Sequence, residues 1–323
     1  MHPTDGFHPP AWLAGGHRQT ILGHGLRRLL RWTLPAEDLV VEAGQGVRLL
    51  LRASWQGAPR EDHPTLLVLH GLGGSDASGY VVSAGRLAYR RGWNVVRMNM
   101  RGSGDGLALC PLLYNAGLDT DLLAALSAVS SLVPRLAVVA FSLGANLLLL
   151  ALARRRERLP AALSAAVAVS PPVDLSICAD ALEAPGNGLY QHYFMQMLSE
   201  GYRERHRVRP DLFAAGRERG LRTVREYDDR ITAPFGGYES AAQYYERASA
   251  GPWLASIDRP VLVLAAADDP MIPVSSVVRW PVSAPVRREI VPTGGHVGFV
   301  SRVRAPGWFW AAERAMAFLE QAG

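Results

Sequence analysis

Ser142 stands in Ala140-Phe141-Ser142-Leu143-Gly144, after the apolar run that begins at Val138 and before the helix-forming run Leu147 to Leu152. A lone serine at a sharp strand-to-helix turn, with small residues two before and two after it, has the form of a nucleophile elbow, whose strained backbone presents the hydroxyl. Alanine takes the place of the first glycine in the usual G-x-S-x-G, a departure of one methyl group. A serine hydroxyl is a weak nucleophile until an imidazole removes its proton and a carboxylate orients that imidazole. Both lie downstream. The apolar strand of residues 260–267 ends in Asp268-Asp269-Pro270, and the short strand of residues 288–292 leads into Gly294-Gly295-His296. Ser142, Asp269 and His296 are therefore the candidate triad.

Three carboxylates compete for the acid role. Asp269 is preferred because it directly precedes a proline at the start of a turn, whereas Asp268 reads as the last residue of the strand. Asp174, just beyond the strand of residues 165–169, is the other alternative. Acyl chemistry also needs donors aimed at the oxygen on which charge grows. The backbone N–H of Leu143 is one candidate. The loop His70-Gly71-Leu72-Gly73-Gly74 supplies the other, assigned to the Leu72 N–H. A phosphate cradle is the rival reading of these glycines, but the chain has neither G-K-[ST] nor G-x-G-x-x-G at that place. His70 is expected to shape the strand end, His17 to tie the N-terminal segment to the core, and Arg101 to pack its loop. No histidine has metal-ligand spacing, so no metal and no organic cofactor are expected.

The 323 residues, 49% hydrophobic and 20% charged, suit one α/β core with an insertion. Cys110 and Cys178 are far apart, which predicts free thiols in a reducing cytoplasm. No apolar run approaches the ~20 residues of a membrane span, and no signal-peptide core opens the chain. Stable membrane insertion is not expected. The net charge of +5 is carried entirely by arginine, and the segment Arg203 to Arg225 alone holds eight arginines against three acidic residues. Interleaved with Glu and Leu, they read as solvated helix faces rather than a nucleic-acid surface, with peripheral contact to an anionic membrane as the competing use.

Strand and helix patterns alternate. Strands are predicted at residues 37–42, 47–55, 65–69, 94–98, 136–141, 165–169, 261–264 and 286–290, with crossover helices at 79–91, 119–131, 143–156 and 306–321. Strands apolar on both faces, alternating with helices, imply a doubly wound, mostly parallel eight-stranded sheet. Residues 172–259 interrupt that rhythm with helical patterns at 189–202, 211–226 and 239–249, and read as a helical cap inserted between two halves of the core, residues 1–171 and 260–323. Tyr190, Tyr193, Phe194, Met195 and Met197 could line an acyl pocket or pack the cap onto the core.

The chain order Ser, Asp, His is the one used by α/β-hydrolases. Gly16-His17-Arg18-Gln19-Thr20-Ile21-Leu22, His70 to Ser75, Asn99 to Gly104, Tyr114 to Leu122, Asp228 to Pro234 and Gly294 to Phe299 together resemble the YheT-like branch of that family, over nearly the whole chain. This branch is similar to eukaryotic α/β-hydrolase-domain proteins that act on acyl esters, including phospholipids. The resemblance implies the α/β-hydrolase fold with its cap, and places the family triad on Ser142, Asp269 and His296. The expected activity is carboxylic ester hydrolysis through an acyl-enzyme, on a small-molecule ester of lipid-like or medium-chain kind, by a monomer or homodimer. A serine nucleophile argues against dehalogenase or epoxide-hydrolase chemistry. Acyl transfer to another acceptor, and a non-catalytic receptor that keeps the fold, are the alternatives.

Overall fold

Eight strands form one sheet in the order β1-β2-β4-β3-β5-β6-β7-β8. They are β1 (Glu37–Glu42), β2 (Arg48–Ser54), β3 (Thr65–Leu69), β4 (Asn94–Met98), β5 (Leu136–Phe141), β6 (Leu163–Val169), β7 (Val261–Ala266) and β8 (Val286–Val291). The structure is a computed structural model that describes residues 6–301 and 309–322. The first two strands make an antiparallel hairpin, β2 runs antiparallel to β4, and every later pairing is parallel. Strands β3, β5 and β7 are buried at every residue, as continuous apolar runs in a sheet covered on both sides must be.

Helices cover both faces. In chain order they are α1 (Gly16–Arg27), α2 (Gly79–Arg90), α3 (Asp119–Ser130), α4 (Leu143–Arg154), α5 (Leu175–Glu183), α6 (Gly188–Val208), α7 (Val224–Tyr227), α8 (Ala233–Phe235), α9 (Ala241–Ala248), α10 (Val274–Val278) and α11 (Trp310–Ala322). Alternate residues of a strand point to opposite faces. Thus Leu66, Val68 and Val139 pack with Val81 and Leu87 of α2 and Ala315 and Leu319 of α11, while Leu67, Leu69 and Val138 pack with Leu122 and Leu126 of α3 and Leu147 to Leu152 of α4. α4 is buried nearly all round, which explains why its sequence has no polar face.

Between β6 and β7 the described structure contains helices and turns but no strand. The expected helix over residues 211–226 is a correction: only α7 at its end is helical, because Gly216 and Gly220 adopt φ of 78° and 77°, left-handed geometry that stops a helix. α5 was not anticipated. Asp174 starts it, accepting a hydrogen bond from the Ile177 N–H. This segment has its own small core, in which Met195, Tyr202, Phe213, Tyr227 and Ile231 are buried together. The start of the last helix, expected at Pro306, lies outside the described residues. Its described part begins at Trp310.

Candidate active site

Strand β5 ends and α4 begins at Ser142, whose φ of 50° and ψ of −123° put a non-glycine residue in left-handed territory. Strain of this kind persists only where the surroundings hold it. Here the Ser142 N–H donates to the Val169 carbonyl, and its own carbonyl accepts from Ala145 and Asn146. Gly144 is required by space, since a Cβ there would stand 2.2 Å from the His70 carbonyl oxygen. Ala140 meets no such limit, because it sits inside β5 in register with Leu69 and Ala168. Asn146, fully buried one turn into α4, donates to the carbonyls of Ala116 and Ala248 and accepts from the Ala250 N–H. One amide thereby joins the elbow helix to the loop after β4 and to the end of the helical segment.

His296 Nε2 lies 2.9 Å from Ser142 Oγ, and His296 Nδ1 lies 2.9 Å from Asp269 Oδ2. The second oxygen of Asp269 accepts from the Met271 and Ile272 N–H groups at 2.9 and 3.0 Å, so the turn after β7 fixes the carboxylate's orientation. An Nδ1–H donated to Asp269 leaves Nε2 free to accept the serine proton.

The other two carboxylates are engaged elsewhere. Asp268 accepts from Thr293 Oγ1 and from the N–H groups of Gly294 and Gly295, so it holds the loop that carries His296. Asp174 caps α5 and pairs with Arg279. Around His296 the backbone is also strained: Val297 and Phe299 have φ of 56° and 47°. Thr20 Oγ1 accepts from the His296 N–H, and Ser170 Oγ from the Val297 N–H. Arg27 of α1, buried, donates to the carbonyls of Val297 and Gly298. Burial lowers the Arg27 pKa to about 9, and no carboxylate pairs with it among the described residues. Nothing in the sequence around them marks these supports. Thr20 and Arg27 lie some 270 residues from the loop they brace, and no local pattern links them.

The loop after β3 crosses the elbow. A Cβ on Gly71 would stand 2.8 Å from Ser142 Cβ, so glycine lets the two backbones approach. The Gly71 N–H donates to Tyr80 Oη at 3.0 Å and the Gly73 N–H to Tyr114 Oη at 2.5 Å. Between them the Leu72 N–H has no partner among the described residues, and neither has the Leu143 N–H at the start of α4. His70 is fully buried. Its Nε2 accepts from the Met100 N–H, which fixes the proton on Nδ1, where it reaches the Gly71 carbonyl. Burial lowers its pKa to about 4, so it is neutral and structural. Arg101 forms two hydrogen bonds with Asp121 and packs its loop. His17 bonds Tyr190 and stacks on its ring, tying α1 to α6 through a tyrosine that is itself buried in the main core cluster.

Two cavities meet at Ser142 and His296. One, of about 330 Å³, runs beneath the helical segment past Leu175, Leu182, Phe194 and Met197. The other, of about 510 Å³, opens between α1, the start of α6 and the loop after β3. Of the five candidate pocket residues, Phe194 borders both cavities, Met197 the first, and Tyr190 and Tyr193 the second. Met195 borders neither and packs the helical segment's own core. Cys178 lines the first cavity as a free, buried thiol whose pKa burial raises. Among the described residues no group of three or more His, Cys, Asp or Glu could hold a metal ion, and no helix is long and apolar enough to cross a membrane.

A family profile for the alpha/beta hydrolase fold matches residues 64–303. The chain is 32% identical to YheT of Escherichia coli (strain K12) over 317 residues, covering 95% of this chain and 91% of that protein. It is 31% identical to the mouse phospholipase ABHD3, over 93% of this chain and 74% of the relative. A Saccharomyces cerevisiae monoacylglycerol lipase is 28% identical over 80% of this chain and 59% of its own length. Among solved structures, a Pyrococcus furiosus esterase superposes with a TM-score of 0.57 at 18% identity, over 90% of this chain and 97% of the other. That likeness bears on the fold alone.

Proposed function

Because the chain belongs to the α/β-hydrolase family, in its YheT-like, ABHD-type branch of esterase and lipase relatives, we propose that it hydrolyses carboxylic esters of small molecules with Ser142 as nucleophile. The observation that carries this reading is the unbroken relay from Ser142 Oγ through the His296 ring to Asp269, at 2.9 Å for each link.

In the first step Ser142 Oγ attacks the ester carbonyl while His296 Nε2 takes its proton and Asp269 steadies the imidazolium. The N–H groups of Leu72 and Leu143, which no described residue occupies, hold the oxyanion. His296 then returns the proton to the departing alcohol, leaving an acyl-Ser142 ester. Water, deprotonated by the same ring, releases the acid and restores the serine. Residues 172–259 act as a cap over this centre, and the 330 Å³ cavity beneath them, where Leu175, Leu182, Phe194 and Met197 stand together, takes the acyl chain.

Hydrolysis of p-nitrophenyl hexanoate tests the reading. Ser142→Ala lowers kcat/KM by roughly 10⁴-fold or more, with an unchanged circular dichroism spectrum. A loss of less than about tenfold would remove Ser142 from the chemistry.

A further inference from the structure

The two cavities that meet at the candidate triad differ in charge. The 330 Å³ cavity carries Glu200, Glu204 and Asp228 along with Arg205 among its largely apolar lining. The 510 Å³ cavity, also largely apolar, is bordered by His24, Arg27, Arg28 and Arg31 and, among the described residues, by no aspartate or glutamate. The sequence explains the imbalance: between residues 6 and 36 there are four arginines besides three histidines and no acidic residue. Arg28 and Arg31 form no ion pair among the described residues, and Arg31 donates only to the backbone carbonyls of Arg28 and Leu30. Arg27, at the buried end, likewise lacks a carboxylate, and its Nε is buried with no hydrogen-bond partner among the described residues. Arg27 is held by the Val297 and Gly298 carbonyls and lies over the Tyr80 and Phe309 rings, contacts that bring no formal negative charge, and burial, with Arg28 and Arg27 close by, lowers the His24 pKa.

Exposed cations beyond the end of a helix, as Arg28 and Arg31 are after α1, ordinarily face water. These differ because they ring one cavity that reaches the nucleophile, and because a buried guanidinium without a counter-ion is costly unless something supplies the negative charge. Guanidinium groups match carboxylate and phosphate oxygens with paired hydrogen bonds. We infer that the cavity between α1 and α6 is an anion subsite: it takes the alcohol portion of the ester, and that portion carries a carboxylate or a phosphate held by Arg28 and Arg31 above Arg27. This rests on the proposed ester chemistry, because it places the acyl chain in the other cavity and the scissile bond where the two meet. It adds what that chemistry leaves open, a charge requirement on the leaving group.

Paired esters with one acyl chain and different leaving groups give the test. The carboxylate arm compares the hexanoyl ester of para-hydroxybenzoate with that of para-hydroxybenzamide, each rate normalised to its hydroxide-catalysed hydrolysis. The phosphate arm compares hexanoylglycerol phosphate with hexanoylglycerol. At low salt the wild-type protein prefers the charged member of at least one pair in kcat/KM by roughly tenfold or more. The double variant R28Q/R31Q collapses that preference towards unity, whereas R207Q/R222Q, which removes two exposed charges from the helical segment, preserves it. Binding of the same esters to Ser142→Ala, followed by calorimetry, reports the preference without turnover, and there too R28Q/R31Q abolishes it. Equal use and equal binding of charged and neutral members in both arms would overturn the anion subsite, as would a preference indifferent to R28Q/R31Q. Failure of the ester reading looks different, since wild-type protein would then cleave none of the four compounds while the calorimetry still decides the subsite.

Discussion

Asp268 and Asp269 are adjacent in sequence, yet the structure gives them different work. Asp269 faces the His296 ring, and Asp268 gathers Thr293, Gly294 and Gly295 beneath it. Substituting each separates orientation of the ring from support of its loop. Asp269→Asn keeps the shape but loses the carboxylate that fixes the imidazole's tautomer, and lowers kcat by about 10⁴-fold with little change in melting temperature. Asp268→Ala deletes the acceptor of three hydrogen bonds, destabilises the fold by roughly 2 to 4 kcal/mol, and lowers kcat by a smaller factor. Thermal melts alongside steady-state kinetics check both, and a larger kcat loss for Asp268→Ala would reverse their assignment. At this scale the sequence was legible where chemistry marks a residue. A serine between small residues, and Asp-Pro after an apolar run, carry local signatures. Thr20, Arg27 and Ser170 carry none, because a residue that braces a loop through its backbone groups is chosen by its place in space.

The strands were readable for a similar reason. A sheet buried on both faces demands uninterrupted apolar runs, and β3, β4 and β5 occupy the spans their sequences suggest. The helical segment was less legible. Its helices pack on each other as well as on the core, so apolar residues do not settle into one stripe. Two left-handed glycines also break what Leu, Arg and Glu alone would continue. Asn146, on α4, links the two regimes by satisfying three backbone groups, the Ala116 carbonyl in the loop after β4, the Ala248 carbonyl at the end of α9 and the Ala250 N–H just beyond it. Asn146→Ala leaves these groups buried without partners, at a cost of about 1 to 3 kcal/mol for each that water does not reach. The expected result is a melting temperature lower by about 4 °C or more, with faster proteolysis inside residues 172–259. A melt within a degree of wild type would show that the three groups find other partners.

For the whole molecule, stability depends on pH through a carboxylate outside the triad. Asp228 begins a π-helical turn, Asp228 to Thr232, and accepts from the Tyr245 hydroxyl at 2.8 Å. Burial raises its pKa to about 6, against hydrogen bonds from Thr232 and Tyr245 that lower it. The folded state therefore holds this proton more tightly than the unfolded chain. Its contribution is fully present below the unfolded pKa near 4 and is lost as pH rises through about 6. Asp228→Asn, which keeps a neutral partner for Tyr245, matches wild type near pH 4 and exceeds it at pH 8 by on the order of 2 kcal/mol. Denaturant melts at the two pH values check this, and a wild-type advantage at pH 8 would contradict the sign. The proposed chemistry requires three segments to meet at one point, with the serine and the imidazole separated by 154 residues along the chain. Labelling with a fluorophosphonate, located by peptide mass mapping, tests that most directly. Stoichiometric modification of Ser142, abolished by Ser142→Ala and strongly slowed by His296→Ala, is the predicted result. Labelling that lands on another residue, or leaves Ser142 unmodified in the folded protein, would contradict it.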